Sequence, residues 1–258
     1  MGGDFGIRAF GCDIAVISDC EQALTTLQRY LLPSLPRIGP DIAGAGVVLR
    51  VLRDGGGFQL FCDGTNVSAC DFKTLVTQAV RLLDDAIVNR LTNLTAVHAG
   101  AVEIGGRALL LPGGTHVGKS TLVAELLRRG AVYMSDEYAL IDAQGHAHPY
   151  PRPLLLRNGG PEQVPLLPEE CNAQVGNAPV PIRWILALEY DPAATWRIAA
   201  VPQSEGLLIL LRNTPHALAE SPRIVAALRR ASAGSECYTG RRGSSVEAAE
   251  QILRLVAE

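Results

Sequence analysis

The segment Gly113-Gly114-Thr115-His116-Val117-Gly118-Lys119-Ser120, followed by Thr121, has the spacing G-x-x-x-x-G-K-[ST]. That is the spacing a chain needs to hold a polyphosphate. A phosphate chain requires several backbone N–H groups turned inward, and glycines permit both the dihedrals and the close approach. A helix that begins at the loop adds its own free amides and the positive end of its dipole. The Lys119 ammonium then neutralises the β- and γ-phosphates, and the Ser120 hydroxyl is placed to ligate Mg²⁺. Gly113, Gly114, Thr115, His116, Val117, Gly118, Lys119, Ser120 and Thr121 are therefore the expected binding segment, with ATP and Mg²⁺ as its ligands. His116 either touches phosphate, shapes access or is merely tolerated; the sequence does not separate these.

Phosphoryl transfer also needs an acid that ligates metal or takes a proton. The next apolar run, Ala131-Val132-Tyr133-Met134, delivers Asp136 and Glu137 to its C-terminal end, the edge where ligands sit in α/β sheets. Asp136 follows Lys119 by 17 positions, which a helix and its return strand almost fill, so the acid should lie near the loop. Ser120, Asp136 and Glu137 are the expected metal ligands. The competing reading is a surface turn with two solvated carboxylates. His98, at the start of the strand pair leading into the loop, is either a structural histidine or part of the site. Arg152 and Arg157 follow in a proline-rich stretch, and a charged phosphoryl group favours an arginine clamp. Arg152 is taken as a nucleotide contact. Arg212, His216, Arg241 and Arg242 are weaker candidates, most of them expected at the surface. Asp84-Asp85 reads as the solvated face of a helix.

The elements that must position these groups follow from periodicity. Ala108–Leu111 is an apolar strand, joined to Val97–Ile104 by a Gly105-Gly106 hairpin turn. Ser120–Arg129 has helix spacing at Leu122, Val123, Leu126 and Leu127, and Gly130 stops it. Before residue 95 the pattern gives short strands, a helix over Cys20–Leu32, a hairpin over Val47–Cys62, and a long helix over Asp71–Leu91 with Asp71 as N-cap. After Pro168 come a strong strand at Ile182–Tyr190, a weaker one at Trp196–Val201, a short helix at Gly206–Leu211, and closing helices at Pro222–Ala233 and Ser245–Val256. The fold class is α/β with a mixed sheet. Residues 1–95 form a small α/β lobe, too short of strands to fold alone, and 96–258 form the core that carries the loop.

Composition narrows the function classes. Apolar residues make up 48% of the 258, enough for a real core. A net charge of −3 gives no electrostatic case for nucleic acid or anionic membrane. No apolar run is long enough to cross a bilayer, and no signal-like start is seen. The six scattered cysteines lack metal or redox spacing and read as thiols in a reducing cytoplasm.

Val97-His98-Ala99-Gly100-Ala101-Val102, the loop that begins after 14 residues intervening from His98, and Arg129-Gly130-Ala131-Val132-Tyr133-Met134-Ser135-Asp136-Glu137 resemble HPr kinase/phosphorylase, and more closely the shorter HPr-kinase-related proteins. The resemblance is specific over residues 97–157 and weak outside them. It implies the P-loop fold of phosphoenolpyruvate carboxykinases and an ATP-dependent kinase acting on a serine or threonine hydroxyl of a peptide or protein. It implies Asp136 as the base, Glu137 as the second acid near metal and phosphate, and His98 as the active-site histidine that tunes Asp136. Departures are Thr115-His116 in place of a Ser-Gly pair, Glu137 in place of Asp, and the lack of the glycine-rich segment that goes with HPr binding and phosphorolysis. Some relatives phosphorylate ribosomal precursor peptides of the lasso type, and the His-Ala-Gly-Ala-Val opening and the Ser-Asp-Glu form resemble those. The remaining alternatives are a kinase of a small hydroxylated metabolite and a nucleotide-responsive binding protein. HPr kinases form hexamers, so a homo-oligomer is an open expectation.

Overall fold

The computed structural model describes residues 2–39, 44–114, 117–157, 160, 162–215 and 221–257. In chain order the elements are β1 (Gly3–Ala9), β2 (Cys12–Ser18), α1 (Glu21–Tyr30), β3 (Arg37–Ile38), β4 (Val47–Asp54), β5 (Gly57–Cys62), β6 (Thr65–Ala69) and α2 (Phe72–Val88). Then follow β7 (Thr95–Ile104), β8 (Arg107–Pro112), α3 (Lys119–Arg128), β9 (Val132–Ser135), β10 (Tyr138–Ile141), β11 (His146–His148), β12 (Leu154–Arg157) and β13 (Gln163–Leu166). The chain closes with β14 (Val180–Tyr190), β15 (Arg197–Val201), α4 (Gln203–Arg212), α5 (Pro222–Ala233), β16 (Glu236–Arg242) and α6 (Ser245–Ala257). The protein is α/β with mixed sheets. None of its described helices is long and apolar enough to cross a membrane. All six cysteines are free thiols; burial raises the pKa of Cys12, Cys171 and Cys237, and pushes Cys62 up to about 11.

Two compact units emerge, Met1–Thr92 with Pro151–Leu167, and Asn93–Tyr150 with Pro168–Glu258. The sequence-based division at residue 95 keeps 151–167 in the C-terminal core. In the structure that stretch belongs with the first unit, because β12 and β13 pair with each other and α2 lies against β13.

The first unit is built on a sheet ordered β3-β1-β2-β4-β5-β6, with β2 and β4 parallel and the other pairs antiparallel. Its N-terminal part is therefore richer in strands than its patterning predicts. The polar strand β6 (Thr-Asn-Val-Ser-Ala) escapes a reading based on apolar alternation, although it pairs fully with β5. Helix α2 starts where expected. The Asp71 carboxylate accepts a 2.7 Å hydrogen bond from the Thr74 amide, and Thr74 Oγ1 accepts one from the Asp71 amide, so a reciprocal capping box closes the first turn. Leu75, Val76, Ala79, Val80, Leu83 and Ile87 are buried along one stripe. Asp85 is exposed as predicted, but Asp84 is buried. Its Oδ2 lies 2.9 Å from Arg152 Nε, and the pairing of these two charges is what permits their burial.

The second unit carries the sheet β11-β10-β7-β8-β14-β16-β15, with β9 also paired to β7. Strand β7 alternates strictly. Val97, Ala99 and Ala101 join Ala108, Leu110, Ile209, Leu210 and Leu228 in the apolar core beneath α4 and α5. His98, Gly100 and Val102 consequently face the opposite side, where α3 lies against β7. A register shift between Ile182 and Trp184 in β14 resets the alternation, so Ile182 and Ile185 share the core while Leu186 and Leu188 turn toward the α3 side. The strand β16 (Glu-Cys-Tyr-Thr-Gly-Arg-Arg) is absent from the sequence-based reading. It lies between β14, parallel, and β15, antiparallel.

The Thr74 side-chain and backbone hydrogen bonds hold the Asp71 carboxyl below the usual carboxylate range. A lowered folded-state pKa contributes stability above the unfolded value, and that contribution fades as pH falls through the folded one. Replacing Asp71 by Ala is expected to cost about 1 kcal/mol in urea unfolding at pH 7. The difference from the wild type should shrink in acid, and a gap that is equal at pH 7 and pH 3 would contradict the cap.

Candidate active site

Strands β8 and β9 flank β7 and both run antiparallel to it, so their C-terminal ends reach the same edge of the sheet. Pro112 is opposite Ala99 on one side, and Ser135 is opposite Ala101 on the other. With two strand spacings between them, the backbones leaving β8 and β9 stand about 10 Å apart. The first becomes the glycine-rich loop and α3; the second becomes Asp136-Glu137. The start of the loop is pinned to β7 by the Gly113 amide, which donates to the His98 carbonyl at 3.2 Å. The acidic pair is pinned by the Ala99 amide, which donates to the Glu137 carbonyl at 3.1 Å. His98 is fixed in turn by its own amide, which donates to Asn213 at the end of α4, 2.7 Å away.

Side chains converge on this edge. Lys119, the first residue of α3, is buried and donates from Nζ to the Gly114 carbonyl at 2.8 Å. Its Nζ is also 3.4 Å from His98 Nε2, which lies 2.6 Å from Glu137 Oε1. An imidazole nitrogen either carries a proton or offers a lone pair. At 2.6 Å from a carboxylate it carries the proton and donates to Glu137, so the Lys119 contact is a close approach of two donors rather than a second hydrogen bond. The ammonium thus has a loop carbonyl as its acceptor, beside an imidazole that holds the second acid in place. Asp136 is only 1% exposed at the end of β9. Ser120 is half-buried and Thr121 exposed in the first turn of α3.

Close packing of α3 onto β7 depends on Gly100. A Cβ there would lie 2.7 Å from Val123 Cγ2, well inside van der Waals contact. Gly118 caps α3 in the left-handed region, φ 72° and ψ 27°, which glycine adopts without strain. Behind the loop, Val117, Leu122, Leu186 and Leu188 close on a cavity of only about 10 Å³, room for one water.

The structure thus gathers Gly113, Gly114, Val117, Gly118, Lys119, Ser120, His98, Asp136 and Glu137 at one edge of the second unit. Thr115, His116 and His216 lie outside the described residues. Arg152, read as a phosphate clamp, belongs to the first unit, where it is 2% exposed beside Asp84. Arg157 is in β12 of the same unit. Arg212 and Arg241 are exposed, near Glu205 at 3.8 Å and Glu189 at 3.0 Å. Arg242, one of the weaker contact candidates, is 2% exposed, unlike the exposed Arg212 and Arg241. Its Nη2 donates to the carbonyls of Val117 at 3.0 Å and Gly118 at 2.8 Å, and its guanidinium lies 5.1 Å from the centroid of the Tyr190 ring. Burial lowers its pKa from the ordinary arginine value, and Tyr190 offsets part of that shift.

The sequence matches no protein-family model and no curated protein. Among solved structures it is similar to the Hpr(Ser) kinase/phosphatase from Coxiella burnetii, with 15% identity over 63% of this chain and 97% of that one and a TM-score of 0.30. Similarity at this level does not place the chain in a family.

Gly100→Ala is expected to overpack the α3–β7 contact and cost about 1–3 kcal/mol. Val123→Ala should cost less in that background than in the wild type, because it removes the methyl that clashes. Thermal unfolding of both single variants and the double variant checks the coupling, and strictly additive losses would show that Gly100 and Val123 do not meet.

Proposed function

We propose that this protein is an ATP-dependent phosphotransferase that moves the γ-phosphoryl group onto a serine or threonine hydroxyl of a peptide or protein, on a phosphoenolpyruvate-carboxykinase-like scaffold of the HPr-kinase-related type. The observation that supports it is the meeting of Lys119, His98 and Glu137 at the edge where Asp136 follows the end of β9. An acid pair beside the loop can serve both needs of transfer, a ligand for Mg²⁺ and a base for the acceptor hydroxyl.

In this reading the loop amides and Lys119 hold the triphosphate. The acceptor oxygen forms its bond to the γ-phosphorus as the bond to the ADP oxygen breaks, and Asp136 takes the hydroxyl proton. His98 keeps Glu137 oriented toward the phosphates. Mg²⁺ suits the hard oxygen donors of Ser120, Asp136 and Glu137 and supplies neutralisation of phosphate charge. Among the described residues no three His, Cys, Asp or Glu side chains form a metal-holding group, and a Mg²⁺ that enters with nucleotide draws its other ligands from phosphate and water. A cytoplasmic setting, and a partner that is neither nucleic acid nor membrane, belong to the same proposal.

The test is transfer of label from [γ-³²P]ATP, with Mg²⁺, to a pool of serine- and threonine-containing peptides. The wild type is expected to label peptide, and Asp136→Asn to slow transfer by about 10²-fold or more while MgATP affinity changes little. If the wild type labels nothing and hydrolyses ATP at the same rate as Asp136→Asn, the base assignment fails. Label appearing only on small hydroxylated compounds would move the reading to a metabolite kinase.

A further inference from the structure

We infer that Arg242 is a positioning residue of the phosphate loop, holding the Val117 and Gly118 carbonyls from behind and supplying a buried positive charge that a bound polyphosphate balances. The inference rests on the nucleotide-binding reading of the loop and extends it to a residue more than a hundred positions away.

A loop that turns its amides toward an anion turns its carbonyls the other way, and buried carbonyls need donors. Arg242 Nη2 supplies them for Val117 and Gly118, and its Nη1 donates to the Gly243 carbonyl at 3.2 Å. The loop and the guanidinium are shaped around each other. A Cβ on Gly118 would lie 2.5 Å from Nη2, so glycine at this position serves the space the arginine fills as well as the left-handed cap. The cation is carried by a strand rather than a flexible segment. Arg242 is in register with Tyr190 on the parallel strand β14, and the Tyr190 ring lies beside the guanidinium.

The charge itself is the second part. Arg242 hydrogen-bonds only to neutral carbonyls, and among the described residues no carboxylate lies within ion-pair distance of it. Burying a cation without a counter-charge is costly. The Arg152 guanidinium, equally buried in the other unit, has Asp84 beside it. A cation retained without a carboxylate, against the back of a phosphate-binding loop, is one whose balancing charge arrives with the ligand.

Calorimetric titration with MgATP of the wild type, Arg242→Ala, Arg242→Lys and Lys119→Ala tests this, with thermal unfolding of each without nucleotide. Arg242→Ala is expected to bind about tenfold or more weakly, the loss due to a buried donor removed from two carbonyls and a charge removed from the site. Arg242→Lys keeps the charge without the forked donors and is expected to fall between the two. Millimolar guanidinium should restore binding to Arg242→Ala and leave Lys119→Ala unchanged, a result a purely structural strut would not give. Should Arg242→Ala fail to fold, Arg242→Lys decides: affinity equal to the wild type overturns the proposal. A folded Arg242→Ala that binds like the wild type, or weak binding that neither lysine nor guanidinium improves, overturns it as well. If the wild type binds and Lys119→Ala does not, such results sink the Arg242 role alone. If the wild type binds no MgATP, the phosphate-loop reading falls and this proposal falls with it.

Discussion

One strand with antiparallel partners on both sides sets the geometry of the site. Because β8 and β9 both oppose β7, two chain segments far apart in role finish at a common edge, one as a glycine-rich loop and the other as an acid pair. Alternation along β7 then decides which of its side chains take part. The alanines at 99 and 101 enter the core, and His98 and Gly100 face α3. The 2.6 Å contact between His98 and Glu137 and the nearby Lys119 ammonium are consequences of that one pairing scheme.

Two buried arginines show how charge separates structure from site. Arg152 and Asp84 neutralise one another inside the first unit, which fits a fold-holding ion pair. Arg242 is attached to carbonyls of the loop itself and to an aromatic face, and its charge stands in the second unit close to Lys119 and the start of α3. Burial alone would not distinguish the two; the nature of their partners does.

Local features were legible in the sequence because their causes are local. The glycine spacing, the helix after it, the hairpin turn and the short strand ending at Asp136-Glu137 each follow from neighbouring residues. Arg242 was legible only as one of several candidate arginines; its hold on Val117 was not, since it reaches across 125 positions from a polar strand with no apolar alternation. Asp84 was misread as solvated because its partner lies in a segment, 151–167, that returns to the first unit after the chain has left it. Strand β6 was missed for the same reason as β16: pairing to neighbours, rather than its own residue pattern, makes it a strand.

Amide hydrogen exchange with and without MgATP tests the central geometry most directly. The account predicts slowed exchange in the peptide spanning Pro112 to Leu122 and in those containing His98 and Asp136, with little change along α1 and α2. No protection of the loop peptide at saturating MgATP, or protection confined to the first unit, would contradict it.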